Sequence, residues 1–148
     1  MLRRQILIIV PVLFITACQP AKITTGILDV KDAWARPAAS GDNGAIYFVI
    51  ENGTNQDDAL LSVQSDAAEA VELHLSQMEG DHMSMRQHQS VEIPAGEAVI
   101  FSPGGWHVML VGLTRELKTG ETFVATLTFE KAGQKTVTVT VRDDIGND

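Results

Sequence analysis

Four side chains with soft or borderline donor atoms stand at a fixed spacing in this chain: His74, ten residues, Met85, twenty-one residues, His107, one residue, Met109. Two imidazoles and two thioethers, with no thiolate among them, make a ligand set that suits Cu(I) far better than zinc, calcium or magnesium. Zinc recruits cysteine or carboxylate beside histidine, and the hard divalent cations take oxygen. The one cysteine, Cys18, stands far from these four residues in the sequence. A blue-copper electron carrier needs a thiolate bound to the metal, so electron transfer of that kind is not expected. What fits is exchangeable Cu(I). Neutral thioethers hold the ion without adding charge, and thiolates on a partner would bind it more strongly, so it could move on by stepwise ligand exchange.

These donors must be positioned by strands. Phe123, Ala125, Leu127 and Phe129 alternate with Thr122, Val124, Thr126 and Thr128, and Val137, Val139 and Val141 alternate with threonines, the signature of strands with one buried face. Further strands are expected at 33–36, 45–51, 59–64, 70–77, 83–87, 98–101 and 107–113. Turns are expected at Asn52-Gly53, Pro94-Ala95-Gly96, Pro103-Gly104-Gly105, Thr119-Gly120 and Ala132-Gly133, where glycine or proline supplies the needed backbone angles. About nine short strands at this spacing predict an all-β sandwich or Greek-key barrel.

On such strands alternate residues share a face, so His107 and Met109 point the same way with Cα atoms roughly 6.5 to 7 Å apart. The glycine-rich turn before them places His107 at the rim, near solvent. His74 falls on the face opposite Val71, Leu73 and Leu75. Met85 sits in a segment, Asp81-His82-Met83-Ser84-Met85-Arg86, too polar for a core strand and too rich in methionine for an ordinary loop. His74 and Met85 are expected to reach the pair as two arms from elsewhere in the barrel. Met78, Met83, His82 and His88 are candidate accessories. Taken singly, each residue has a plainer reading: a surface histidine, a methionine filling the core beside Leu110, a solvated loop. Trp106 reads as packing or as a shield beside His107.

The start of the chain addresses it elsewhere. Arg3 and Arg4 precede an apolar run, residues 6–15, too short to span a bilayer, which takes about 20 residues, and the plan is that of a secretory signal. Ile15-Thr16-Ala17-Cys18 resembles the bacterial lipobox, in which the cysteine is lipidated and becomes the new N-terminus; plain secretion with an incidental cysteine is the alternative. The expected organisation is a signal peptide over 1–17, a lipidated N-terminus and tether over 18–26, a barrel domain over 27–142 and a tail over 143–148. Acyl chains would supply the only membrane attachment.

The 148 residues carry a formal charge of -8 with a pI near 4.8, and loss of the signal segment leaves about -10. Nucleic acid is thereby disfavoured, because it needs a basic surface; cationic cargo or a basic partner patch is favoured. Asn52-Gly53-Thr54 matches a glycosylation sequon, to which a bacterial lipoprotein gives no role. No nucleophile with a paired base, no phosphate-cradling glycine loop and no HExxH occurs, so no enzyme is expected.

The spacing His74-x10-Met85-x21-His107-x-Met109 resembles the signature of the PCuAC family of periplasmic Cu(I) chaperones, once a domain of unknown function. The resemblance extends to Asp32-Ala33-Trp34-Ala35-Arg36-Pro37, Glu92-Ile93-Pro94-Ala95-Gly96, Pro103-Gly104-Gly105-Trp106-His107-Val108-Met109-Leu110 and Leu127-Thr128-Phe129-Glu130-Lys131-Ala132-Gly133. It implies a cupredoxin-like β-barrel that binds one Cu(I) through those four donors outside the cytoplasm. It also implies delivery of copper, notably to the CuA centre of cytochrome c oxidase or to another periplasmic copper chaperone. Many relatives carry a methionine two residues after the first histidine, where this chain has Ser76. A lipid-anchored β-sandwich binding module and a periplasmic copper store are the competing functions.

Overall fold

The computed structural model describes residues 22–143; the expected signal segment, the lipobox and Cys18 lie outside the described residues. Those described form ten strands: β1 (Leu28–Ala35), β2 (Gly44–Asn52), β3 (Asp58–Gln64), β4 (Ala68–Glu79), β5 (His82–His88), β6 (Val91–Ile93), β7 (Ala98–Phe101), β8 (Trp106–Leu113), β9 (Thr122–Phe129) and β10 (Gly133–Val141). No helix among the described residues is long and apolar enough to cross a membrane.

All ten strands belong to one sheet, in the order β5-β4-β8-β7-β2-β1-β10-β9-β3-β6, with a further pairing of β8 to β2. The all-β expectation is met. The tenth strand is β6, which pairs antiparallel with β3 over three residues, too few for an alternating pattern to show in the sequence. The sheet wraps a single apolar cluster to which every strand but β5 contributes a buried residue. Phe123, Ala125, Leu127 and Phe129 fill it from β9, Val139 and Val141 from β10, as their alternation requires. Phe48 of β2 and Phe101 of β7 stack with ring centroids 4.4 Å apart.

Two polar groups fasten the connections. Asn52, fully buried, donates from Nδ2 to the carbonyls of Gln56 and Ile93 and accepts at Oδ1 from the backbone and hydroxyl of Thr54. The next residue must be glycine, because a Cβ on Gly53 would lie 1.9 Å from the Thr25 hydroxyl and 2.8 Å from the Ile27 carbonyl. Asp58 accepts from the backbone N–H groups of Ala59, Lys131 and Ala132, tying β3 to the β9–β10 turn. Residues 22–26, at the end of the expected tether, lie against these turns, with Ile23 donating to the Gly96 carbonyl and Gly26 to that of Gly53.

A bulge in β1 shapes the region beside the site. Asp32 and Ala33 together face one residue of β2, and Asp32 takes a positive φ of 52°, which Asp tolerates better than most residues. The extra residue sets Trp34 against Tyr47 on the outer side of the sheet, with ring centroids 4.7 Å apart. The Arg142 guanidinium covers the Trp34 ring at 4.8 Å and pairs with Asp32.

Candidate metal centre

Strand alternation places the donors. Leu73 is 4% exposed and belongs to the core, so Glu72 and His74 turn to the other face of β4. On β8, Val108 and Leu110 are fully buried in the core, which turns His107 and Met109 outward from it. The antiparallel register then sets His74 opposite His107 and Glu72 opposite Met109. On the far side of β4, Ser76 faces Met85 of β5. Directly opposed residues share a face, so His74, Met85, His107 and Met109 all stand on one side of a three-strand patch.

The arrangement differs from the expected one in two respects. His107 is 5% exposed rather than solvent-facing at the rim. The segment between β1 and β2 forms a second wall over it, making a cleft of about 440 Å³ lined by Arg36, Asn43, Tyr47, Met85, His107 and Met109. Nor does His74 fold across from a distant part of the barrel. β4 is the hydrogen-bonded neighbour of β8, and the two imidazole centroids lie 5.7 Å apart. Met85 arrives from the next strand outward and is 51% exposed, because β5 is an edge strand with no share in the core.

Hydrogen bonds fix which nitrogen of each ring is free. His74 Nε2 lies 2.8 Å from the Glu72 carboxylate, an acceptor, so in the neutral ring Nε2 carries the proton and Nδ1 keeps the lone pair. That Nδ1 is buried and has no hydrogen-bond partner. His107 Nδ1 lies 3.1 Å from the Gly105 carbonyl, so its Nε2 is the free acceptor. The same carbonyl accepts from Ser76 N at 3.1 Å, which locks the turn at 102–106 onto β4. Each imidazole is thus held by an acceptor at one nitrogen and left unprotonated at the other, the outer-sphere pattern of a metal-binding histidine. A buried, unpartnered ring nitrogen otherwise costs roughly 1 to 3 kcal/mol.

Glu72 carries no role in the sequence reading, although a carboxylate two residues from a histidine on a strand is the signal that finds it. Tyr47 lines the cleft. Its phenol is pushed above its ordinary value of 10.0 by burial, an effect partly opposed by Arg36. Of the accessory candidates, Met78 and Met83 face each other beyond the Ser76–Met85 pair and on the same side of the hairpin. His82 and His88 lie on the reverse side and do not join the cluster. His88 packs edge-on against Trp106 at 4.7 Å. Trp106 therefore points away from His107 and packs against the core, so it does not shield the site.

The LpqE-like lipoprotein family matches residues 28–141. Lxx21020 of Leifsonia xyli subsp. xyli, named as a lipoprotein, is 32% identical over 132 residues, 88% of this chain and 78% of that one. Among solved structures, the copper-bound PCuAC domain of PmoF2 superposes with a TM-score of 0.69 at 25% identity, over 83% of this chain and 98% of the domain. The Cu(I) form of DR1885 from Deinococcus radiodurans superposes with a TM-score of 0.60 at 28% identity, over 88% of this chain and 85% of the other.

Proposed function

Because the chain belongs to the LpqE-like family and folds as the PCuAC domains do, we propose that it is a copper chaperone of the extracytoplasmic space, binding one Cu(I) through His74, Met85, His107 and Met109. The observation that carries this reading is the pair of opposed histidines, one with a buried, unpartnered Nδ1 and both with the remaining nitrogen held by an acceptor. Two imidazole nitrogens and two thioethers on one face supply a neutral, soft ligand set. Copper is the cargo, and no side chain here needs to do covalent chemistry on it.

Release follows from the exposure gradient. Met85 is the most accessible of the four donors and His107 the most buried, so a partner's ligand displaces Met85 first and His107 last. Thiolates, as in a CuA centre, bind Cu(I) more strongly than thioethers, which makes the transfer downhill. We read the acceptor as the CuA domain of cytochrome c oxidase or another copper-carrying protein, docking through a basic patch against the acidic surface. Lipidation at Cys18 would keep the domain at the membrane; the lipobox resemblance and the lipoprotein names of the family and of Lxx21020 support it.

The test is an anaerobic Cu(I) titration of the protein and of the Met85→Ala, Met109→Ala pair, followed by mixing with an apo CuA domain. One tightly held Cu(I) per chain, weakened in the double variant and passed to the CuA domain, is the expected result. Equal copper retention in the double variant, or displacement of Cu(I) by Zn(II), would overturn it.

A further inference from the structure

The β4–β5 hairpin runs on past the centre just described, and its outer part carries two methionines that the four-donor site does not use. Met78 and Met83 are directly opposed across the two strands, with Cα atoms roughly 4.5 to 5.5 Å apart for such a pair. They are 62% and 58% exposed. Met83 lies two residues from Met85, and the register puts Met78, Met83 and Met85 on the same face as His74.

Neither packing nor strand formation accounts for them. Neither belongs to the core cluster and both are more than half exposed, so their burial contributes little. Branched and aromatic side chains are the good strand formers, and this face of the hairpin has thioethers in their place. Beyond Leu75 the reverse face is polar, with Arg86 paired to Glu79 and with Gln77, Ser84 and His82 beside them. Methionine is confined to the face that leads to the site.

We propose that Met78 and Met83 form a second, weaker Cu(I) contact, a capture point at the end of the hairpin from which the ion passes through Met85 to His74, His107 and Met109. This rests on the copper reading of the principal site. Two neutral thioethers without an imidazole hold Cu(I) weakly, as a capture point must. Met85 serves both ends: a sulfur–copper bond to Met85 forms before those to Met78 and Met83 break, so the ion keeps a thioether throughout. Holding the ion on the same hairpin raises its effective concentration at the centre.

The test uses the protein labelled with 13C-methyl methionine, in which Met78, Met83, Met85 and Met109 are followed as separate signals, titrated anaerobically with Cu(I). The first equivalent should shift Met85 and Met109, and further Cu(I) should shift Met78 and Met83 together. Met78 and Met83 signals that stay fixed, or that move independently of each other, overturn the capture point even where Met109 responds. A Met109 signal that does not move would instead overturn the principal site. In the Met78→Leu, Met83→Leu variant, which keeps side-chain bulk, affinity at the first equivalent should stay unchanged while loading from a Cu(I)–acetonitrile complex slows on the order of tenfold. Unchanged loading overturns the relay.

Discussion

His74 and His107 stand directly opposite each other on adjacent antiparallel strands with ring centroids 5.7 Å apart, each ring tethered at a different nitrogen: His74 through Nε2 to Glu72, His107 through Nδ1 to the Gly105 carbonyl. Because opposite nitrogens are tethered, opposite nitrogens are free, and the pair is oriented before any ion arrives.

Glu72 is therefore a positioning residue. Glu72→Ala should lower Cu(I) affinity by about 10- to 100-fold, and Glu72→Gln, whose amide oxygen still accepts a hydrogen bond, by less. His74→Ala should lose more than either. A competition titration against a Cu(I) chelator measures all three, and rescue by glutamine separates orientation from folding.

Exposure sets the order of oxidation. Peroxide converts methionine to its sulfoxide according to access, so in the copper-free protein Met78, Met83 and Met85, all more than half exposed, should oxidise before the half-buried Met109. One equivalent of Cu(I) should protect Met85 and Met109 and leave Met78 and Met83 reactive. Peptide mapping by mass spectrometry reads each methionine separately.

Tyr47 is the only tyrosine in the chain, so its titration can be followed without overlap. Burial raises its pKa above 10.0 and Arg36 pulls it back, so Arg36→Gln should raise it further. The folded value exceeds the unfolded one. The stability this linkage contributes is therefore complete below about pH 10 and is lost as pH rises through the folded value. Tyrosinate absorbance and denaturant melts across that range check both signs.

Asn52 joins two carbonyls and Thr54 at a fully buried position. Asn52→Ala leaves those groups without their partner and should cost about 3 kcal/mol, a fall in Tm of roughly 10 °C. Thermal unfolding followed by circular dichroism checks it.

The fold class was legible because strand alternation is local. The period of two in β9 and β10 depends only on the order of side chains along each strand, and the structure buries Phe123, Ala125, Leu127, Phe129, Val139 and Val141. β6 was not legible, since Val91–Ile93 is three residues long and owes its existence to pairing with β3. The burial of His107 is not legible for a similar reason: the wall above it comes from the segment around Arg36 and Asn43, far away in sequence.

By itself the sequence determined the donor types, the absence of a cysteine near them, the face of its strand on which His74 stands, and that His107 and Met109 share a face, because side-chain chemistry and strand parity are properties of a residue and its immediate neighbours. Only the tertiary structure decided that β4 lies against β8 in the register that opposes His74 and His107, and that Glu72 fixes one ring while the Gly105 carbonyl fixes the other. It also decided that His88 and Trp106 pack together on the other side of the sheet. Register between strands is settled by burial over the whole sheet, and a one-residue slip that would bury His74 in the core would expel Leu73 from it.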